Sequence, residues 1–490
     1  MFFNSVDFIV FFIVVITSII IIKNRNFQHL FLLFASYLFF YYSSNYLILL
    51  LLFTTMWDFY LSKMVYNAKT VSQKKLFLIL CVSINLSLLG FFKYADFVIT
   101  QFNFLGQTLD LGTDIPLLYL ALPIGISFYT FHSIGYIVDV YRGTIQPCKS
   151  LRDYALFITF FPQLVAGPIL RASHFLPQLR EKLESGLVSS KLRLITVTDK
   201  NLKIGITMIA LGLFKKMFFA DNIAPLVNDV FANVIGASSL EIWIGTIAFA
   251  IQIYCDFSGY SDIALGTALI MGFNIPINFN KPYFATSPSD FWKRWHISLS
   301  TWLKDYLYIP LGGNKRSKFR THFNLIFVMF LGGLWHGASW NFVVWGLLHG
   351  AYLSAHQLIL NKFPFLKHNS FFNTTFGKIF SILITQYFVL LAWIAFRVED
   401  IHEVVYAMEK FVFLDMNLHS FTNFLSSHKF QVLLILLFLI LHFISYRKGG
   451  IVSKFSELPM KYWTLMLGCV VFCILFFINS NAEDFIYFRF

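Results

Sequence analysis

Charge is scarce in this chain. Asp, Glu, Lys and Arg make up 13% of its 490 residues, against roughly 25% in soluble proteins. Acids are the scarcer sign, 25 against 38 Lys and Arg. Hydrophobic residues fill 57% of the sequence, and phenylalanine alone takes 61 positions. No water-soluble core hides that much apolar surface, so an all-α protein crossing a membrane many times is expected. The net charge of +13 would suggest nucleic acid in a soluble domain. Here the Lys and Arg residues concentrate between apolar runs, as in cytoplasmic loops of membrane proteins. No nucleic-acid partner is expected.

Other absences narrow the chemistry. The five cysteines (Cys81, Cys148, Cys255, Cys469 and Cys473) are scattered, mostly in apolar runs. Cys469 and Cys473 can share a helix face, where thiols usually serve as small packing residues. No His/Cys ligand cluster accompanies them, so neither a metal site nor a disulfide is expected. There is no Gly-rich nucleotide loop, no zinc-ligand set and no G-x-S-x-G elbow. The opening MFFNSVD has no basic residue and no small-residue cleavage site follows. The first apolar run is therefore expected to be retained as a helix rather than removed as a signal peptide.

The apolar runs give a topology. Phe8–Ile22 is the first span, stopped by Lys23, Asn24 and Arg25. Leu30–Tyr42 and Tyr46–Tyr60 form a hairpin pinched at Ser43, Ser44 and Asn45, and Leu76–Phe92 is the fourth span. The loops at 23–29 and 63–75 are basic, whereas the segment after Phe92 carries Asp96, Asp110 and Asp114 against Lys93. Basic loops inside and acidic ones outside place the N-terminus outside the cytoplasm. The acidic segment is expected to be an outer loop.

Further on, the runs are interrupted. Leu117–Val138 contains Pro123, Gly125, His132 and Gly135, and Tyr154–Leu170 contains Pro162, Gly167 and Pro168. Proline removes a backbone donor and bends or ends a helix. Irregular backbone at membrane depth survives where protein buries it or it lines a cavity. These stretches read as broken or re-entrant helices near a site, or else as proline-kinked spans. Residues 180–203 are hydrophilic and read as a linker. Ile206–Phe219 and Ile242–Tyr254 return to the membrane, with Lys215 and Lys216 expected to snorkel to an interface. A basic stretch from Lys293 to Arg320 follows. The next span runs from Phe323 through Trp345 to Leu360, and Ile379–Phe396, Val432–Tyr446 and Tyr462–Ile478 complete the set.

Polar residues and tryptophans crowd into Tyr254–Trp345. His336 lies in LGGLWHG, within an apolar run. A lone membrane histidine often serves as a helix–helix hydrogen-bond partner. Here glycines on both sides permit close approach, Trp335 and Trp340 can line a pocket, and an imidazole suits general-base work at neutral pH. Intramembrane ionisable groups are functional candidates by default. His296 lies in FWKRWHISLS. Its neighbours Lys293 and Arg294 either attract a phosphate-bearing donor or mark the cytoplasmic interface. Asp256 and Asp262 in CDFSGYSD are too poorly spaced to share a helix face, so structural hydrogen bonding within a broken helix is expected of them. The stretch DFIYFRF, 484–490, reads as an interfacial aromatic belt or as something more specific.

Together FFPQLVAGPILRASHFLPQL, YCDFSGYSDIALG, FNKPYFATSPSDFWKRWHISLSTWLKDYLYIPLGGN and LGGLWHGASWNFVVWGLLHG resemble the membrane-bound O-acyltransferases. The branch they resemble is that of the bacterial alginate and peptidoglycan O-acetyltransferases. The likeness covers most of 115–350. It implies a single integral membrane domain over 1–490: N-terminal spans to 114, a catalytic core at 115–350, and C-terminal spans and a tail from 351. It also implies helices enclosing a funnel or tunnel with His336 as its catalytic histidine and His296 as the second polar residue. Lys293, Arg294, Trp295 and Trp335 are then the candidate substrate-binding residues. The terminal aromatic stretch resembles a Phe/Tyr motif of cell-wall acylation systems, with Tyr487 as a transient acyl carrier.

The resemblance implies an acetyl thioester, acetyl-CoA, as donor on the cytoplasmic side, with no bound cofactor and no metal. The acceptor is a polysaccharide outside the bacterial cytoplasmic membrane, and the partner there is a serine-esterase-like protein. Three rivals stand beside this: D-alanyl transfer to teichoic acid, acylation of a lipid or protein, and a polysaccharide exporter or flippase in which His296 and His336 gate a pathway.

Overall fold

The computed structural model describes residues 1–112, 114–164, 167–182, 187–367, 369–415, 418–479 and 485–486. It is 76% helical. Among the described residues six helical stretches are long and apolar enough to cross a membrane: Arg25–Asn67, Val71–Thr108, Ser239–Ile270, Trp340–Lys362, Thr375–Arg397 and Lys429–Lys448. The chain is an all-α multi-pass membrane protein. It divides into two compact units, Met1–Ile206 with Ile263–Pro276, and Thr207–Asp262 with Ile277–Phe490.

In chain order the first unit begins with α1 (Val6–Ile21), α2 (Arg25–Ser44), α3 (Ile48–Asn67) and α4 (Val71–Thr108). Ser5, Asn24 and Thr70 cap α1, α2 and α4 by accepting a backbone N–H with their side chains. Between α2 and α3 the chain turns at Asn45, whose φ of 49° lies in the left-handed region that Asn tolerates. The hairpin pinch is therefore where the sequence placed it. The fourth span is longer than expected. Its helix continues past Phe92 for 16 more residues, and its 38 residues span roughly 57 Å, well beyond a hydrocarbon core of about 30 Å. Asp96 is thus helical, not part of a loop, and its carboxylate accepts the N–H groups of Leu118 and Tyr119. Hydropathy marked the membrane edge, and the helix overran it.

The interrupted region breaks at Pro123 and Gly125 and again around Pro162 and Gly167, whereas Gly135 lies inside a continuous helix. After Pro123 and Gly125 (φ 80°) begins α5 (Ile126–Arg142), followed by α6 (Leu151–Thr159), α7 (Phe161–Leu164) and α8 (Ala172–Phe175). Residues 180–192 are not a free linker. They contain an antiparallel ribbon, β1 (Arg180–Lys182) and β2 (Val188–Leu192), with Arg180 opposite Leu192 and Lys182 opposite Val188. Arg180 pairs with buried Asp153, and Gln28 bonds both the N–H and the carbonyl of Ile195 at 2.8 and 3.0 Å. Paired charges and backbone bonds hold down a stretch that composition alone marks as loose.

The chain continues through α9 (Asp199–Leu213), α10 (Asp221–Ala232), α11 (Ser239–Ile270), α12 (Pro288–Trp292), α13 (Ile297–Leu303), α14 (Lys318–His336), α15 (Trp340–Lys362) and α16 (Thr375–Arg397). The last helices are α17 (Ile401–Val412), α18 (Leu418–Ser427), α19 (Lys429–Lys448), α20 (Ile451–Ser456) and α21 (Met460–Phe476). Between α9 and α10 lies a widened π turn, Phe214–Ala220, a departure from α geometry often found at functional sites. It carries Lys215, whose side chain keeps 29% exposure, and Lys216, which does not snorkel. Lys216 is 1% exposed and lies 2.7 Å from Asp221 and 2.9 Å from Asp256. Lys215 pairs with Asp262 at 2.6 Å. A buried ammonium needs paired carboxylates more than it needs the interface. Asp256 and Asp262 are structural partners as expected, though α11 beneath them is an unbroken 32-residue helix.

Candidate active site

His336 sits at a reversal rather than in the middle of a span. The apolar run from Phe323 to Leu360 is two helices, and α14 ends on His336 before Gly337–Ser339 turns the chain into α15. Small residues let the two helices close on each other. A Cβ at Gly333 would stand 2.2 Å from the carbonyl oxygen of Phe342 and 3.0 Å from the Cα of Gly346. At Gly337 the backbone is extended, yet a Cβ would lie 2.2 Å from the Phe342 ring. Glycine is therefore required for approach, and the approach brings α15 against the imidazole.

The His336 side chain is 3% exposed and walled by aromatic rings. Trp345 of α15 and Phe396 of α16 stand edge-on at 4.9 and 5.2 Å between centroids, and Trp335 lies at 5.0 Å. These three rings pack closely around the imidazole.

His296 reaches the same neighbourhood by a different route. Ser287 caps α12 through the N–H of Asp290. The N–H groups of Arg294 and Trp295 bond back to the Phe291 carbonyl. His296 then adopts φ 42°, a left-handed conformation that costs on the order of 1–3 kcal/mol for a non-glycine residue. That conformation reverses the chain into α13. Its cap comes from elsewhere: the Asn278 side chain accepts from the N–H and hydroxyl of Ser298 at 3.2 and 2.6 Å, and its backbone carbonyl accepts the Ile297 N–H at 2.9 Å. The His296 imidazole is left out of the capping. It is fully buried, edge-on to Phe257 at 4.7 Å and 6.0 Å from the Trp335 ring. Trp335 thus touches the surroundings of both histidines.

The other expected residues divide. Trp295 is buried against Phe279, Phe291 and Trp393, at 5.0, 5.7 and 4.9 Å. It packs the wall. Arg294 is held by Asp290 at 2.9 Å, whereas Lys293 is exposed. Tyr487 lies outside the described residues. Phe485 and Ile486 before it are described, and both are buried. Phe485 packs on Tyr260 at 4.2 Å and on Phe257 at 5.7 Å.

Sequence reasoning missed three features. His349 is 1% exposed and stacks among Phe291, Trp292 and Trp345 at 5.9, 5.1 and 4.8 Å. Its i, i+4 spacing from Trp345 on α15 was the available signal. Asn278, the remote cap, and the buried Lys216–Asp221–Asp256 network depend on chain pairing that no local pattern shows.

The sequence is also similar to known proteins. The pattern of MBOAT, the membrane-bound O-acyltransferase family, matches residues 148–398. The chain is 37% identical over 384 residues to a peptidoglycan O-acetyltransferase of Helicobacter pylori, covering 74% of this chain and 69% of that protein. It is 40% identical over 337 residues to a probable alginate O-acetylase of Pseudomonas aeruginosa, covering 69% and 60%. A teichoic acid D-alanyltransferase of Streptococcus thermophilus is 30% identical over 250 residues, 49% of this chain and 58% of that one. The chain thus spans between about three fifths and two thirds of the length of these relatives. A match of this extent, over the segment that holds both histidines, makes the chain an acyl-transferring enzyme of the membrane-bound O-acyltransferase family.

Proposed function

We propose that this enzyme passes an acetyl group from acetyl-CoA, a thioester donor on the cytoplasmic side, to hydroxyls of a polysaccharide outside the bacterial cytoplasmic membrane. The observation that carries the reading is His336: a buried imidazole at a helix end, walled by Trp335, Trp345 and Phe396. In the proposed step His336 takes the proton of the attacking hydroxyl while its oxygen bonds to the thioester carbonyl carbon. The resulting oxyanion is stabilised by His296 or by indole N–H groups near it. Collapse breaks the C–S bond, and the thiolate leaves with the proton that His336 held. The carbonyl end of α14 lies beside the ring that gains positive charge, a favourable placement for a cation. The thioester is already activated, so neither metal nor bound cofactor has a part in this scheme.

Tyr487 is the proposed first acceptor. Its phenol takes the acetyl group as an ester and yields it to the polysaccharide in a second transfer, which returns the phenol proton. Phe485 and Ile486, buried beside Phe257 and Tyr260, support the idea by bringing the chain to within one residue of Tyr487. Lys293 would attract the phosphates of the donor at the cytoplasmic mouth. The N-terminus lies outside the cytoplasm in this scheme, and a serine-esterase-like partner there completes the transfer.

The test is incubation of purified protein with acetyl-labelled CoA thioester. Wild type is expected to take up or transfer label and His336→Ala is not. If neither is labelled by acetyl-CoA and the wild type moves polysaccharide, the exporter reading replaces this one. Likeness to the D-alanyltransferase favours a second donor for the same machinery, a carrier-protein-bound D-alanyl thioester, and labelling from that donor alone would shift the assignment.

A further inference from the structure

The buried ion network of the π turn, α10 and α11 lies beside this site, and the acyl-transfer scheme leaves it unused. Lys216 is held between Asp221 and Asp256, all three at most 3% exposed. The second oxygen of Asp256 does something else. It accepts the backbone N–H of Ile486 at 2.8 Å, 230 residues further along the chain. The same region takes hold of the chain earlier on its return. The side chain of Asn222 donates to the Phe477 carbonyl at 2.8 Å, and that of Asn479 donates to the Asp221 carbonyl at 2.9 Å. Phe485 then fills the space between Tyr260 and Phe257, and Phe257 is the ring that stands edge-on to His296.

We propose that Asp256 is a positioning residue for acyl transfer: its carboxylate, oriented by Lys216, fixes the backbone at Ile486 so that the neighbouring Phe485 is held against the His296 wall. The assignment rests on the function proposed above. The geometry separates two tasks on one side chain. One oxygen pairs with the ammonium and sets the direction of the carboxylate, and the other receives the N–H of Ile486. A charged acceptor makes a hydrogen bond roughly twice as strong as a neutral one, which suits a contact that must immobilise a single strand of chain.

Hydrogen–deuterium exchange of the full chain reads this bond directly. In Asp256→Ala the Ile486 amide is expected to exchange roughly tenfold to a hundredfold faster, with exchange in α14 and α15 unchanged. The turnover rate for acetyl transfer should fall while the KM for acetyl-CoA stays constant. Asp256→Asn keeps an acceptor but loses the charge, and is expected to fall between wild type and Asp256→Ala on both measures. Asp256→Ala leaves buried Lys216 with one carboxylate and can fail to fold. Phe485→Ala keeps the network intact and should give the same faster exchange and the same lower turnover. Unchanged exchange at Ile486 in Phe485→Ala and in a folded Asp256 variant overturns the proposal, as does faster exchange with unchanged turnover. A wild-type protein that uses no acetyl thioester refutes the proposed function instead, and the exchange result still reports on the anchor.

Discussion

Two regions of this molecule bury polar side chains among apolar helices, and they do it in opposite ways. In the first unit Asp58 of α3 is fully buried and accepts from the Asn85 amide at 2.8 Å and the Cys81 thiol at 3.1 Å, both from α4. Nearby Ser62 meets the Tyr136 hydroxyl of α5 at 3.2 Å. These groups sit in the middle of regular helices and hydrogen-bond to one another across them. In the second unit His336 and His296 sit at a helix end and at a left-handed reversal, with aromatic rings packed against both imidazoles. The first arrangement ties three helices together. The second presents imidazoles where the backbone turns and where other chain, including Phe485, comes in. Burial of a polar group is common to both, so burial does not mark the site. What marks it is polarity placed at breaks in the helices.

The largest expected effect tests the second region at its centre. His336→Ala should reduce acetyl transfer by roughly 10²–10⁴-fold, the range of a lost general base. The protein should still fold, because the imidazole contacts are ring contacts that a small side chain leaves intact on the other walls. Transfer by His336→Ala at near wild-type rate would dissolve the contrast between the two regions. Rates at saturating donor, with a melting curve in detergent, are the measurement.

Next in size is the backbone that aims the histidine. Gly333→Ala puts a methyl group 2.2 Å from a carbonyl oxygen of α15, which must push the hairpin apart one turn before His336. A displacement of about 1 Å in a reacting group can lower rate by roughly 10²-fold. Gly332→Ala is the control. Its Cβ meets only the Leu303 side chain at 3.3 Å, and transfer should fall no more than a few-fold. Equal losses in the two variants would mean that the hairpin tolerates separation and that its tight closure is not what aims His336.

The donor side should respond weakly. Lys293 is exposed, and exposed charges contribute about 0.2–1 kcal/mol. Lys293→Ala should therefore raise the KM for acetyl-CoA by only about twofold to fivefold, leave turnover unchanged, and lose its effect at high salt, where exposed charges are screened. Arg294→Ala should do less to KM, because Arg294 is already committed to Asp290. A larger KM effect from Arg294 than from Lys293 would reverse that ranking.

Much of this contrast is legible in the sequence, for a physical reason. In a chain so poor in charge, the run Trp335-His336-Gly337 stands out, and so does the cluster Trp292–His296. The breaks at Pro123, Gly125 and Gly167 were legible too, since proline and glycine act on the backbone where they stand. The reversal after His336 was not. The apolar run continues across it without proline, and it is the Gly333–Gly346 approach, a pairing across 13 residues, that makes the hairpin. Lys216 misled in the same way. A basic pair ending an apolar run has the look of an interface, and Asp256, the carboxylate that keeps Lys216 buried, lies 40 residues on. The far end of α4 was hidden because hydropathy reports lipid contact, whereas helix formation follows backbone and capping preferences that continue past Phe92.

The smallest expected effect is also the sharpest check on the comparison. If the Asp58 cluster only fastens helices, a neutral isostere should serve nearly as well as the acid. Asp58→Asn keeps a carbonyl oxygen for the Asn85 amide and the Cys81 thiol, and among the described residues Asp58 has no cationic partner to lose. Acetyl transfer should stay within about twofold, and stability should move by about 1 kcal/mol, the net worth of one hydrogen bond. Asp58→Leu differs: it leaves the Asn85 amide with its carboxylate partner gone, and should cost about 1–3 kcal/mol, read as a lower melting temperature with normal turnover in the fraction that remains folded. The acid would have to be more than a fastener if Asp58→Asn lost transfer on the scale of His336→Ala while melting normally. Buried polarity in the middle of a helix would then be functional here, and the rule drawn from the helix breaks would fail in the half of the molecule where it was meant to exclude a site.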